Sequence, residues 1–301
     1  MGGFGRTTVV LAAAIALSLG MARAEDKPAS CARADFRVVL DVGHTNESPG
    51  AKSARGLDEY DFNLRLAKEI DQALRDSGFA KTVLMVTGGP GVRSMYVRVD
   101  RANELGANLL LSIHHDSVPN MFLQNWDFNG KAETYSDRFR GHSIFISDDN
   151  ADPKDSLLFG HLLGEELKKR GLQYTPHYSE SFMGHYQHKL LDADAGVYRY
   201  DTLFVLKKTQ MPAVLLEAGS IANRDEELAM ASPERQQSIA AAVVDAVDAF
   251  CAARPQRPAT QVARARSRAL VQTAHAKRRP AARRTAQAEP VAAVQSNLDM
   301  H

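Results

Sequence analysis

The sequence is poor in the residues that usually announce a binding module or a membrane protein. It has two cysteines, one tryptophan and no internal repeat in 301 residues. Two cysteines, Cys31 and Cys251, standing near opposite ends, are too few and too distant for a zinc–cysteine site. No apolar run reaches the ~18–20 residues that a bilayer requires, so stable membrane insertion of a mature chain is not expected. Phosphate-binding glycine loops and nucleic-acid motifs are missing as well, and no nucleic-acid partner is expected. With 44% hydrophobic and 24% charged residues, wholesale disorder and collagen-like repeats are excluded.

What is present is unevenly distributed. Residues 25–253 carry 25 Lys and Arg against 34 Asp and Glu, a net −9, whereas residues 254–301 carry ten against two, a net +8. Arg6, the mostly apolar stretch Val9 to Met21 and Ala22-Arg23-Ala24 make residues 1–24 a signal peptide cleaved after Ala24. The chain is therefore expected to be exported, to the periplasm or cell envelope. Residues 25–35 read as a linker and 36–253 as the folded body. Residues 254–301 lack aromatics and read as a disordered basic tail. In an oxidising compartment Cys31 and Cys251 would form either a bridge or two buried thiols.

Between the cysteines, short β-like runs alternate with helical stretches, as in an α/β domain. Strands are expected at Phe36 to Asp41, Thr82 to Thr87, Leu109 to Ile113, Ser143 to Ser147 and Ala213 to Leu216, with a short one at Leu203 to Val205. Phe62, Leu66, Ile70 and Leu74 mark one face of a helix that Gly78 ends. Further helices are expected over Tyr96 to Leu105, along Leu158 to Leu167, and from Ser232-Pro233 through Phe250. Two long connections, Val118 to Arg140 and Leu172 to Tyr200, break the rhythm.

The chemistry-bearing residues fall at strand ends. His44 follows the first strand, His114 closes the central one and Glu217 closes the last. Ligands in open α/β sheets bind beyond the carboxyl ends of strands. A glycine-rich loop containing Gly50 and Gly56 would bring Glu59, at the start of the first long helix, beside His44. Two imidazoles and a carboxylate are the ligand set of a catalytic zinc that keeps a position for water, whose pKa the metal lowers to about 7. A second, unligated carboxylate would take the water's proton and pass it to a leaving amine.

These residues carry a resemblance. Val39-Leu-Asp-Val-Gly-His44, Gly50-Ala51 with Gly56-Leu-Asp-Glu59, Arg98 to Asn103 ahead of Ser112-Ile-His114, Arg140-Gly141, and Met211-Pro-Ala-Val-Leu-Leu-Glu217 running on to Asn223 resemble the zinc-dependent N-acetylmuramoyl-L-alanine amidases of the amidase-3 family. The resemblance covers roughly residues 36–250. It implies a single α/β domain with a mixed, mostly parallel sheet and helices on both faces. It implies one Zn2+ per chain on His44, Glu59 and His114, and Glu217 as the catalytic carboxylate. The implied substrate is peptidoglycan, cut between N-acetylmuramic acid and the L-alanine of the stem peptide. Val42, Thr45-Asn46 and His115 depart from the family's usual residues, and His115 could offer the metal an alternative nitrogen.

Two other readings stay open on sequence. One is a zinc hydrolase of another N-acyl amino acid or peptide amide. The other is a degenerate, non-catalytic wall-binding protein. Some periplasmic members of the family insert a blocking helix where this chain has residues 172–195, and an activator protein moves it. An activator is therefore a possible partner here. Tyr174, Tyr178, Phe182 and Tyr186 recur every four residues, which would make one stripe of a short helix: a cover, a substrate platform or ordinary packing.

Overall fold

The computed structural model describes residues 1–2 and 31–254. The expected leader beyond its first two residues, the expected linker before Cys31 and the expected tail after Arg254 lie outside the described residues. In chain order the elements are β1 (Val38–Val42), α1 (Glu59–Asp76), β2 (Val83–Met85), α2 (Gly91–Leu105), β3 (Leu109–Asp116), β4 (Gln124–Phe128), β5 (Lys131–Tyr135), β6 (Ser143–Ile146), α3 (Pro153–Lys169), β7 (Lys189–Asp192), β8 (Val197–Arg199), α4 (Phe204–Lys208), β9 (Ala213–Ser220), α5 (Arg224–Ala231) and α6 (Pro233–Ala253).

Seven strands form one sheet in the order β2-β1-β3-β9-β6-β8-β7. The β2, β1, β3 and β9 neighbours run parallel, as do β6 and β8, while β6 against β9 and β7 against β8 are antiparallel. This is the mixed, mostly parallel sheet expected. Every residue of β1, β3, β6 and β9 is buried, which explains why their sequences read as continuous apolar runs rather than alternating ones.

Alternation along each strand sorts the core into two layers. Val38, Leu40 and Val42 of β1, with Leu109, Leu111 and Ile113 of β3, pack on the side of α1, α3 and α6. Val39, Leu110 and Leu215 pack on the other side with Val99 and Ala102 of α2 and Val205 and Leu206 of α4. Helices thus cover both faces. The four-residue repeat Phe62, Leu66, Ile70, Leu74 is buried throughout, and each such side chain contributes roughly 1.5–3 kcal/mol on leaving water. Ser232 caps α6 by accepting from the Arg235 amide, with Pro233 opening the helix as its sequence suggests. Cys31 and Cys251 are joined in a disulfide that ties the start of the described body to α6.

Several expectations are corrected. Leu203 to Val205 is not a strand: Leu203 caps α4, whose Val205 and Leu206 are buried. A four-residue apolar run fits either element by periodicity alone. The connection Val118 to Arg140 holds the hairpin β4–β5. The segment 172–195 is not a helix. It makes short 3₁₀ turns at His177–Ser179 and Ser181–Tyr186, the second broken at Gly184 with φ 58°, before β7 begins. The four aromatics therefore form no stripe: Tyr178 is buried, Phe182 exposed, and Tyr174 and Tyr186 intermediate. β3 and β9 also outrun their expected ends, so His114 and Glu217 lie within strands rather than at their tips.

Candidate metal and acid–base site

Three elements deliver the polar groups to one place. β1 ends at Val42; Gly43 then donates its amide to the Ile113 carbonyl of β3, and His44 follows with φ 65°. A non-glycine residue in that left-handed region costs on the order of 1 kcal/mol and survives only where its surroundings enforce it. Here the buried Arg98 of α2 enforces it: its guanidinium donates to the His44 carbonyl and to Thr87 Oγ1, and lies 3.6 Å from Asp41 Oδ1. Ser112 Oγ donates to the other Asp41 oxygen at 2.8 Å.

Glu59 is the first residue of α1, and the loop before it folds back so that the Glu59 amide donates to the Ala51 carbonyl. Its carboxylate is fully buried. Oε2 accepts from the Ala51 amide at 3.2 Å and lies 3.0 Å from His44 Nε2, while Oε1 lies 3.0 Å from His114 Nδ1. Gly50 makes this approach possible. Its φ is +80°, and a Cβ there would stand 2.4 Å from Glu59 Oε2 and 2.7 Å from the His44 ring. One donor atom each from His44, Glu59 and His114 lies within 4.8 Å of the others, the only such group of three or more among the described residues.

The electrostatics suit a cation. Burial alone would raise the Glu59 carboxyl, but the neighbouring His44 and His114 imidazoles bring it well below the usual carboxylate range. Burial pushes His114 down in turn, which keeps its ring neutral and its nitrogen available. An anion with two imidazoles is a donor set that fits zinc.

His115 is not a fourth donor. Strand alternation turns it to the opposite face of β3, where its Nδ1 donates to Asn63 Oδ1 at 2.8 Å and its ring packs on Phe62. Asn63 was not singled out on sequence. Its amide donates to Glu59 Oε1 at 3.0 Å, so it ties the carboxylate to His115 from one turn along α1. The i, i+4 spacing from Glu59 was the available signal.

Glu217 stands on β9 in register with His114 of the parallel β3, and it is fully buried. Burial first, then the charges of Asp116 and Glu59, push its carboxyl well above the ordinary range. Asp116 lies just past a pairing irregularity in β3, and Tyr178 donates its hydroxyl to Asp116 Oδ1 at 2.7 Å. Sequence reasoning missed Asp116 and placed Tyr178 on a helix stripe. Glu180 is exposed and stands outside the donor group.

A family model described as N-acetylmuramoyl-L-alanine amidase matches residues 38–249. The amidase AmiA of Escherichia coli is 27% identical over 224 residues, covering 71% of this chain and 75% of its own length. The crystal structure of the amidase Ami1 from Mycobacterium smegmatis superposes with a TM-score of 0.56 at 20% identity, covering 73% of this chain and 98% of that one. The CwlD amidase from Clostridioides difficile, solved in complex with the GerS lipoprotein, gives 0.51 at 20% identity, covering 72% and 98%. The two structural likenesses are likenesses of fold.

Proposed function

The chain belongs to the amidase-3 family of N-acetylmuramoyl-L-alanine amidases, and from that premise we propose that His44, Glu59 and His114 hold one zinc ion while Glu217 moves the protons of amide hydrolysis. The bond broken is the amide between N-acetylmuramic acid and the L-alanine of the peptidoglycan stem. Water adds its oxygen to the muramoyl carbonyl, and the L-alanine nitrogen leaves as an amine. The observation that carries this reading is the gathering of the three donor atoms within 4.8 Å, with Glu217 in register beside His114.

Zinc bound there would polarise the amide carbonyl and lower the pKa of a water to about 7. The rest falls to the chain's own residues. Glu59 supplies the negative charge and is oriented by Ala51 and Asn63. Arg98 fixes the backbone that carries His44. Glu217, held above the ordinary carboxylate range by burial and by neighbouring carboxylates, is the carboxyl placed beside His114 for proton transfer. It accepts a proton from the attacking water and returns it to the leaving nitrogen.

The same proposal divides the chain into a leader (1–24), a linker (25–35), a catalytic domain (36–253) and a basic tail (254–301). It places the protein in the periplasm or cell envelope, where an activator protein is a candidate partner. No helix among the described residues is long and apolar enough to cross a membrane. A test is reconstitution. Chelated protein should lose cleavage of a synthetic muramoyl-L-alanyl peptide and regain it with one equivalent of zinc; full activity in chelator would refute the metal.

A further inference from the structure

We propose that Arg138 and Phe182 form a subsite that binds a carboxylate of the stem peptide, on the rim of the site described above; the inference rests on the amidase reading and names which part of the substrate is recognised. Three phenylalanines gather in the connections around the site. Phe122 lies 5.4 Å from Phe139 and 5.7 Å from Phe182, ring centre to ring centre, and Phe139 lies 6.1 Å from Phe182. The Arg138 guanidinium covers all three, at 4.2 Å from the Phe182 ring, 4.9 Å from Phe139 and 5.8 Å from Phe122. Phe182 is 38% exposed and the neighbouring Met121 64%, so the platform opens to solvent.

The second observation concerns charge. Two other arginines of this region also lie over aromatic rings, and both are neutralised: Arg55, over Trp126, pairs with Glu227, and Arg224, over Tyr135, pairs with Asp137. Arg138 is exposed and, among the described residues, makes no hydrogen bond and no ion pair. On a body of net −9 this is an exposed cation set over aromatic rings, with no anionic partner among the described residues. A stacked guanidinium is oriented in advance and presents a fork that matches a carboxylate at two points.

Position connects the platform to the reaction. The Phe139 carbonyl accepts from Asn223, three residues beyond the strand that carries Glu217. The Phe139 ring lies 4.8 Å from His177, which lies 4.1 Å from Tyr178, whose hydroxyl holds Asp116. Contacts thus run from Arg138 through Phe139, His177 and Tyr178 to Asp116, whose charge acts on Glu217, and the proposed peptide path follows them at ~3.3 Å per residue. Of the two halves of the substrate, only the peptide carries carboxylates to offer, because the muramoyl carboxyl is consumed in the amide.

The test uses the zinc-loaded full chain and two synthetic muramoyl-peptides of one sequence, with stem carboxylates either free or amidated. The wild type should show a KM about tenfold lower for the free acid, the scale of one charge-assisted pair. Arg138→Gln should raise that KM about tenfold with kcat within about twofold, and should leave the amidated substrate where it was. Phe182→Ala should act in the same direction by a smaller factor. Equal effects of Arg138→Gln on both substrates, or no preference in the wild type, would overturn the subsite. Failure of the wild type to release L-alanine amines from either substrate would instead refute the amidase reading. The subsite would then be decided by calorimetric binding of the free-acid peptide, with a Kd about tenfold weaker for Arg138→Gln expected and an unchanged Kd contradicting it.

Discussion

His114 and Glu217 stand opposite one another on adjacent parallel strands, both buried, one facing a group of metal-capable donors and the other raised in pKa. That register separates their roles. Glu217→Gln is isosteric but cannot accept a proton. It should keep a full equivalent of zinc while turnover falls by ~10²-fold or more. Loss of zinc in this variant, read by metal analysis, would make Glu217 a ligand and reopen the role of Glu59.

His44→Ala and His114→Ala should each lose the metal. Removing one of three ligands forfeits much of the binding free energy, and two protein donors rarely hold zinc against solvent. Zinc content and activity measured on the same preparation check this; a variant keeping both would show the ligand assignment to be wrong.

Gly50→Ala should behave like a ligand mutation without touching a ligand. The new Cβ would collide with the Glu59 carboxylate and the His44 ring, at a backbone φ that alanine also disfavours. Zinc affinity should drop at least tenfold with far-ultraviolet dichroism unchanged, because Gly50 is in a surface loop outside the sheet. Wild-type affinity would contradict the packing described.

The bridge between Cys31 and Cys251 closes a loop of 220 positions. Chain entropy gives such a closure at most about 5 kcal/mol. The double variant Cys31→Ser/Cys251→Ser should melt below the wild type, by up to roughly 10–20 °C. Denatured, unreduced wild type should titrate almost no free thiol, and two thiols per chain would reject the bridge.

Acid should weaken the fold before surface carboxylates titrate. Burial holds the His142, His177 and His188 rings neutral, each pushed down to about 4, against about 6.5 in the unfolded chain. Between those values the unfolded chain binds protons that the folded one refuses. Stability is therefore full above pH 6.5 and is lost progressively as pH falls towards 4. Melting temperature should decline from pH 6.5 to 5, and less steeply in His142→Gln; parallel curves for the two proteins would remove His142 from the account.

The core and the metal-capable group were legible because each depends on few variables. Buried parallel strands need apolar runs, α1 needs a four-residue repeat, and a metal-capable group needs His and Glu brought to one edge of the sheet. The segment 172–195 was not legible. Its four-residue aromatic spacing suits a helix only while the backbone continues, and Gly184 interrupts it. Asp116 acts through Tyr178, 62 positions away, and Asn63 reaches His115 across 52, contacts that no local pattern encodes; only the i, i+4 spacing of Asn63 from Glu59 was local. His115 was misjudged because β3 runs on past His114, so alternation carries its neighbour to the other face. The disulfide was open on sequence because spacing alone cannot say whether two cysteines meet.

The measurement that tests the central claim most directly is mass spectrometry of the products released from purified peptidoglycan by the zinc-loaded protein. The account predicts intact stem peptides with free L-alanine amino termini, alongside glycan whose muramic acids carry free lactyl carboxyls. Stem peptides cut internally, or glycan cut between sugars with its peptides still attached, would contradict it.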